Sequence, residues 1–198
     1  MKITIHQPEH FPYMGFFQKM KAADLFVVLD NVNFKKNNFQ NRNKFKNKQG
    51  VDEWFGVSVP KKSTSSLIKD VVPVDTTINN WNKKVVSKLK HNFNLDFSDI
   101  YGQPTLLDIN MASIEWARQK LGITNEIIYA SQLDVCGGKS ELLANICKSL
   151  GATTYISGTS GKEYLDLNCF DDIVVEFFEP KVENYYSCIY NINLMEKK

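Results

Sequence analysis

The sequence is poor in the residues that announce ready-made chemistry. There are three histidines and four cysteines in 198 residues, and no two cysteines form a C-x-x-C pair. That spacing excludes a zinc ribbon and a thioredoxin-like dithiol. Cys136, Cys147, Cys169 and Cys188 read as reduced core thiols, and Cys136, ahead of Gly137-Gly138, is the one nucleophile candidate among them, with the core-thiol reading favoured. No apolar run approaches the roughly 20 residues that span a bilayer. The N-terminus has a strand pattern and not the charged-then-apolar order of a secretory signal, so a soluble, cytoplasmic protein is expected. No internal repeat or Gly/Ser-rich linker divides the chain. With 43% hydrophobic and 12% aromatic residues and a net charge of +2, it reads as one folded domain over residues 1–198.

What is present concentrates first in Met1–Asp30. The β-branched run Ile3–Ile5 predicts a buried strand ended by Gln7-Pro8, because a residue before proline is held extended and proline cannot donate to a ladder. His6 and Gln7 therefore fall at the carboxyl end of a strand. Pro12 and Gly15 let the chain turn into a helix from about Phe16 to Ala23, with Phe17, Met20 and the stem of Lys21 inward. Leu25–Leu29 predicts a second strand with Asp30 at its end. In open α/β sheets ligands bind beyond the carboxyl ends of the strands, which makes His6, Gln7 and Asp30 candidate site residues.

Between Asn31 and Val51 every charged side chain is basic: Lys35, Lys36, Arg42, Lys44, Lys46 and Lys48. Asn41–Lys46, the Gln49-Gly50 turn and Trp54–Val59 predict an antiparallel hairpin, whose period of two puts Arg42, Lys44 and Lys46 on one face. That face is suited to phosphate or to plain solvation. Nucleic acid is disfavoured, since single aromatics between basic residues usually anchor a hairpin to its neighbours.

Lys61–Ser66 reads as a mobile flap, Leu67–Val74 as a strand and Asn79–Phe93 as a helix with His91 on its lysine-rich side. A helix opened by Pro104 runs to Leu121 and is stopped by Gly122. Ile127–Ala130, Ser140–Leu150, Thr153–Ser157 and Val174–Phe178 then alternate strand and helix, which argues for an α/β fold: a Rossmann-like, mainly parallel sheet flanked by helices, with an inserted antiparallel hairpin. Ser157-Gly158-Thr159-Ser160-Gly161-Lys162 is a strand–turn–helix junction able to offer backbone N–H groups to an anion. It lacks the spacing of a Walker loop.

His6-Gln7-Pro8, Pro12 with Gly15-Phe16-Phe17, Ala23-Asp24, Leu29-Asp30-Asn31-Val32, Asn41-Arg42-Asn43-Lys44 and Ile156-Ser157-Gly158 with Gly161 and Tyr164-Leu165 together resemble the WbqC-like family of bacterial O-antigen and surface-polysaccharide clusters. The resemblance implies transfer of a glycyl or other acyl group to a nucleotide-linked amino sugar. His6 is then the general base, Asp30 its orienting carboxylate and Gln7 an oxyanion contact. Tyr13, Gly15, Asn41, Arg42, Lys44, Gly158, Ser160, Gly161 and Tyr164 are substrate or phosphate contacts, and no metal is implied. The donor, ATP-activated or an acyl thioester, stays open. A weaker resemblance links the layout to the nucleotidylyltransferase superfamily; its His-x-Gly-His box would fall on Tyr13-Met14-Gly15-Phe16, which keeps the glycine and lacks both histidines. Relative to the WbqC-like pattern the C-terminal segment reads as shortened, leaving Tyr185, Tyr186 and Tyr190 as a homodimer surface or as part of an incomplete pocket. An ATP-using nucleotidyl-type transferase and a non-catalytic nucleotide-sugar-binding partner are the two alternatives to the acyl transferase.

Overall fold

The computed structural model describes residues 1–197. In chain order the elements are β1 (Lys2–His6), α1 (Met14–Lys21), β2 (Leu25–Val28), β3 (Arg42–Lys46), β4 (Asp52–Gly56), α2 (Thr76–Asn79), α3 (Trp81–Phe93) and α4 (Ser98–Tyr101). They continue with α5 (Leu106–Leu121), β5 (Glu126–Tyr129), α6 (Ser140–Ser149), β6 (Thr154–Gly158), α7 (Gly161–Tyr164), β7 (Val174–Phe178) and α8 (Cys188–Met195). The chain divides into two compact units. The first holds residues 1–7, 15–30 and 123–183, and the second residues 8–14, 31–122 and 184–198.

The first unit is the α/β fold expected. Its five strands are all parallel, in the order β5-β2-β1-β6-β7. Counted within this unit alone, that order is 3-2-1-4-5, the doubly wound Rossmann order 3-2-1-4-5-6 without its last strand. The central strands carry the apolar runs because parallel sheets are covered on both faces. Ile3, Phe26, Val27 and Val28 are fully buried, each stabilising the fold by about 1.5–3 kcal/mol relative to exposure. Phe16, Phe17 and Met20 of α1 and Leu142, Leu143, Ile146 and Cys147 of α6 are buried at helical spacing.

In the second unit β3 and β4 form the expected antiparallel hairpin, and β3 alternates so that Arg42, Lys44 and Lys46 share the outer face while Asn43 and Phe45 are buried. The second strand runs over Asp52–Gly56 and not Trp54–Val59. Asn47 Oδ1 accepts from both Gln49 N and Val51 N (3.0 Å each) and Gly50 takes φ +77°, so the turn closes early and pairing starts directly after it. Leu67–Val74 forms no strand. It has one isolated bridge, Asn33 to Leu67, and a 3₁₀ turn over Ile68–Asp70 that buries Ile68 and Val71. Lys61–Ser65 is likewise a 3₁₀ turn. The helix expected from Asn79 is broken at Asn80 (φ +50°), after which α3 keeps the buried stripe Trp81, Val85, Leu89 and Phe93. Thr105, not Pro104, starts α5: its Oγ1 accepts from Asp108 N at 3.1 Å. The aromatic tail contains a helix, α8, that the sequence reading did not anticipate.

The segment Pro8–Met14 is fixed in this unit by a buried polar network. Asn110 Nδ2 donates to Pro8 O (3.1 Å) and Gln40 O (2.7 Å), which leaves Asn110 Oδ1 to accept from His10 Nδ1–H at 3.2 Å. His10 Nε2 then accepts from Tyr101 OH at 2.9 Å. Phe11 sits at φ +43°, a conformation costing about 1–3 kcal/mol for a bulky side chain. It is held there by Phe11 N donating to Ser113 Oγ (3.1 Å), by Asn43 Nδ2 donating to Phe11 O (2.9 Å), and by ring packing against Phe97 and Trp116. Replacing Asn43 by Ala orphans the Phe11 carbonyl, so Asn43→Ala is expected to lower unfolding free energy by about 1–3 kcal/mol. Urea denaturation against Lys48→Ala, which shortens an exposed side chain, checks it. Equal midpoints for the two variants would refute the role given to Asn43.

Candidate functional site

In the first unit the strand order reverses between β1 and β6: β1 is followed in sequence by its neighbour on one side, β6 by its neighbour on the other. Such a switch point is where open α/β sheets form a crevice. Here the ladder between the two strands pairs only Lys2 with Thr154 and Ile3 with Tyr155. Beyond it, Thr4 Oγ1 donates to Ile156 O at 2.8 Å in place of a backbone donor. The β1–β2 pairing, by contrast, runs through His6, and the β6–β7 pairing runs through Gly158. Thus the tips His6-Gln7 and Ser157-Gly158 belong to adjacent strands whose mutual ladder has already ended.

His6 lies at one tip with its ring edge-on to Phe16, centroids 4.9 Å apart. Nδ1 is 2.9 Å from Gln7 O, an acceptor only, so Nδ1 carries the proton and Nε2 keeps its lone pair. Burial, reinforced by the positive charge of Lys19 and only partly opposed by the Gln7 carbonyl, pushes the imidazole pKa down to about 3. The general-base role implied for it needs a pKa not far below neutrality. His6 is therefore a neutral hydrogen-bonding group and not a base able to hold an ammonium proton. Nor does Asp30 orient it. The buried Asp30 carboxylate accepts from Ser131 N (2.9 Å) and Ser131 Oγ (2.6 Å), tying the end of β2 to the 3₁₀ turn Ala130–Gln132 after β5.

At the other tip the two glycines differ. A Cβ on Gly158 would meet nothing within 4 Å, so this backbone is open to a ligand. A Cβ on Gly161 would strike Ser157 Oγ, and this glycine serves close packing of the turn onto the strand. The helix it begins, α7, is four residues long, too short for the helix-end anion site expected there. Ser160 and Tyr164 are exposed.

A model of the WbqC-like protein family matches residues 7–191. The chain belongs to the WbqC-like family. It is also 27% identical over 187 residues to the uncharacterized protein Rv1507c of Mycobacterium tuberculosis, a match covering 88% of this chain and 79% of that one. No solved structure matches the chain.

Several residues that the WbqC-like resemblance marked lie in the second unit. Arg42 lays its guanidinium over the half-exposed Trp54 ring, 4.6 Å from the centroid; its Nε is buried without a hydrogen-bond partner, and no carboxylate among the described residues pairs with it. Lys44 is already neutralised by Asp52 at 2.8 Å. Asp52 also accepts from Tyr186 OH at 2.6 Å, which holds the tail against the hairpin. Tyr13 bridges to Ser187 and packs its ring on Tyr185. Asn41 is not free for substrate: its Oδ1 accepts from Asn37 N and its Nδ2 donates to Val57 O. Gly15 is buried within α1. Two residues that shape the first-unit site were missed. Lys19 is buried on the face of α1 that carries Phe16 and Met20, legible in its i+3 spacing from Phe16, and Ser131 stands just past the end of β5. Cys136 is exposed, whereas burial pushes the Cys147 thiol up to about 12.

Burial also lowers His10 to about pKa 3. Below pH 6.5 the unfolded chain protonates both His6 and His10 while the folded chain keeps both neutral until about pH 3. The unfolded state then binds more protons, so stability is full above pH 6.5 and falls on acidification. The slope approaches ~1.4 kcal/mol per pH unit for each histidine. Urea melts at pH 7 and pH 5, with NMR titration of the imidazole Cε1–H signals, check this. Signals of His6 or His10 moving with a midpoint near 6.5 would contradict it.

Proposed function

We propose that this WbqC-like protein transfers an acyl or aminoacyl group, glycyl included, to the amine of a nucleotide-linked amino sugar. The observation that carries the reading is the β1–β6 switch point, where His6-Gln7 and the unobstructed backbone of Gly158 stand at adjacent strand tips whose ladder has ended. The reaction joins the sugar nitrogen to the acyl carbon, breaks the bond from that carbon to its leaving group, and releases one proton from the nitrogen. With a pKa of about 3, His6 does not store that proton. Its role is to accept an N–H from the neutral amine at Nε2 and aim the nitrogen lone pair at the acyl carbon, while the proton leaves with the departing group or to water. Gln7 and the Gly158 backbone contribute donors to the oxyanion or to a phosphate.

The test is single-turnover transfer to a nucleotide-linked amino sugar from acyl-thioester and ATP-activated donors. Wild type should transfer from one of them, with a rate that climbs as the amine deprotonates and shows no inflection near pH 6.5. His6→Asn should slow transfer by about 10²-fold through misplacement of the amine. An imidazole limb in the pH profile, or an unimpaired His6→Asn, would overturn the role given to His6. Binding with no transfer from any donor would leave a nucleotide-sugar-binding module.

A further inference from the structure

A second cationic region lies in the second unit, apart from any residue used above. The helix α3 contains Lys83, Lys84, Lys88, Lys90 and His91 and no acidic residue. One side of it borders a groove of about 670 Å³, lined by Lys83, Lys84, Lys88 and His91 together with Asn80, Ser87 and Asn92. Gln49 and Glu53 of the hairpin form the opposite wall. Glu53, the only acidic lining residue, is held by Lys88 at 3.1 Å, and Lys88 also donates to Trp54 O at 2.7 Å. Lys83 and Lys84 are exposed, and among the described residues neither has an ion-pair partner. Lys84 and Lys88 stand four residues apart on one helix face, where like charges repel. Glu53 pairs with Lys88 and Asp96 with Lys90 (3.2 Å), which leaves Lys83 and Lys84 as the positive charges of α3 with no ion-pair partner among the described residues. Both border the groove, whose other lining groups are the paired Lys88 and Glu53, the His91 imidazole, three amides and a hydroxyl.

We propose that this groove binds an oligophosphate group, as free polyphosphate or as the phosphate chain of a nucleotide. Lysine ammonium groups are point-charge phosphate ligands, and Lys83 to Lys88 extend about 7.5 Å along the helix axis, enough for linked phosphates. Asn80, Asn92, Gln49 and Ser87 supply neutral donors for the remaining oxygens. The groove has the volume of a nucleotide-sized site, and its nine lining residues include no aromatic ring other than His91 on which a base could stack, so recognition rests on the phosphates. The site is independent of the transfer reaction proposed above, and its failure would leave that reading untouched.

Calorimetric titration at low ionic strength with sodium tripolyphosphate and, separately, ATP tests the proposal. The proteins are wild type, the double variant Lys83→Ala/Lys84→Ala, and a charge-matched control, Lys61→Ala/Lys62→Ala, whose lysines are equally exposed. Both ligands should bind wild type at one site, weaken at least tenfold in the Lys83/Lys84 variant and change less than twofold in the control. Ser87→Glu, which adds a carboxylate inside the groove without removing a lysine, should weaken both as well. Absence of binding to wild type, or equal losses in the two double variants, would overturn the site. Binding of ATP without tripolyphosphate would overturn recognition through the phosphates. Tighter binding of a single-stranded oligonucleotide than of tripolyphosphate, lost in the same variant, would overturn the small-molecule class.

Discussion

A parallel ladder that ends after two residue pairs is the constraint on which the candidate site depends. β1 and β6 are neighbours at the reversal of strand order, and they pair only through Ile3 and Tyr155. Had the ladder continued to the strand tips, His6 and Gly158 would be cross-strand partners and their backbone groups would be saturated. Because Thr4 Oγ1 takes over at Ile156 O, the sheet is cross-linked where it stops pairing, and the residues beyond are positioned by β2 and β7 on their outer sides. Rigid strands thus hold the two tips side by side, which is what a site with defined geometry needs.

Within each unit, buried polar groups are kept uncharged or hydrogen-bonded. The two histidines of the N-terminal segment are held uncharged by burial and each has its tautomer set by an acceptor, Gln7 O for His6 and Asn110 Oδ1 for His10. Asp30 is buried but meets two donors on Ser131, so its charge is matched by hydrogen bonds. In the second unit the left-handed Phe11 is stabilised by Ser113 and Asn43 on its own backbone groups. His10, Asp30 and Phe11 are each tied to partners distant in sequence, which is how a fold stores specificity at a site.

That coupling decides what could be read in advance. The parallel strands were legible because β1, β2, β5, β6 and β7 are apolar runs bounded by Pro, Gly or Asp, signals internal to each segment. The placing of His6, Gln7 and Gly158 at one sheet edge followed from parallel pairing alone. The pKa of His6 did not, because it depends on burial, on the charge of Lys19 and on the Gln7 carbonyl. The expected His6–Asp30 pair failed for the same reason: Ser131, 101 residues away in sequence, competes for the carboxylate. Leu67–Val74 shows the limit of pattern reading, since an apolar alternation becomes a strand only where another strand is available to pair. The division into two units left no mark in composition, because every crossing between them is a short stretch of ordinary sequence.

The central claim is that ligand binds at the carboxyl ends of β1 and β6. Backbone amide shift mapping of ¹⁵N-labelled protein during titration with a nucleotide-linked amino sugar tests it most directly. The account predicts that the amides of His6, Gln7, Ser157, Gly158 and Thr159 shift together along one saturating curve. Saturation with those five amides unmoved would contradict it.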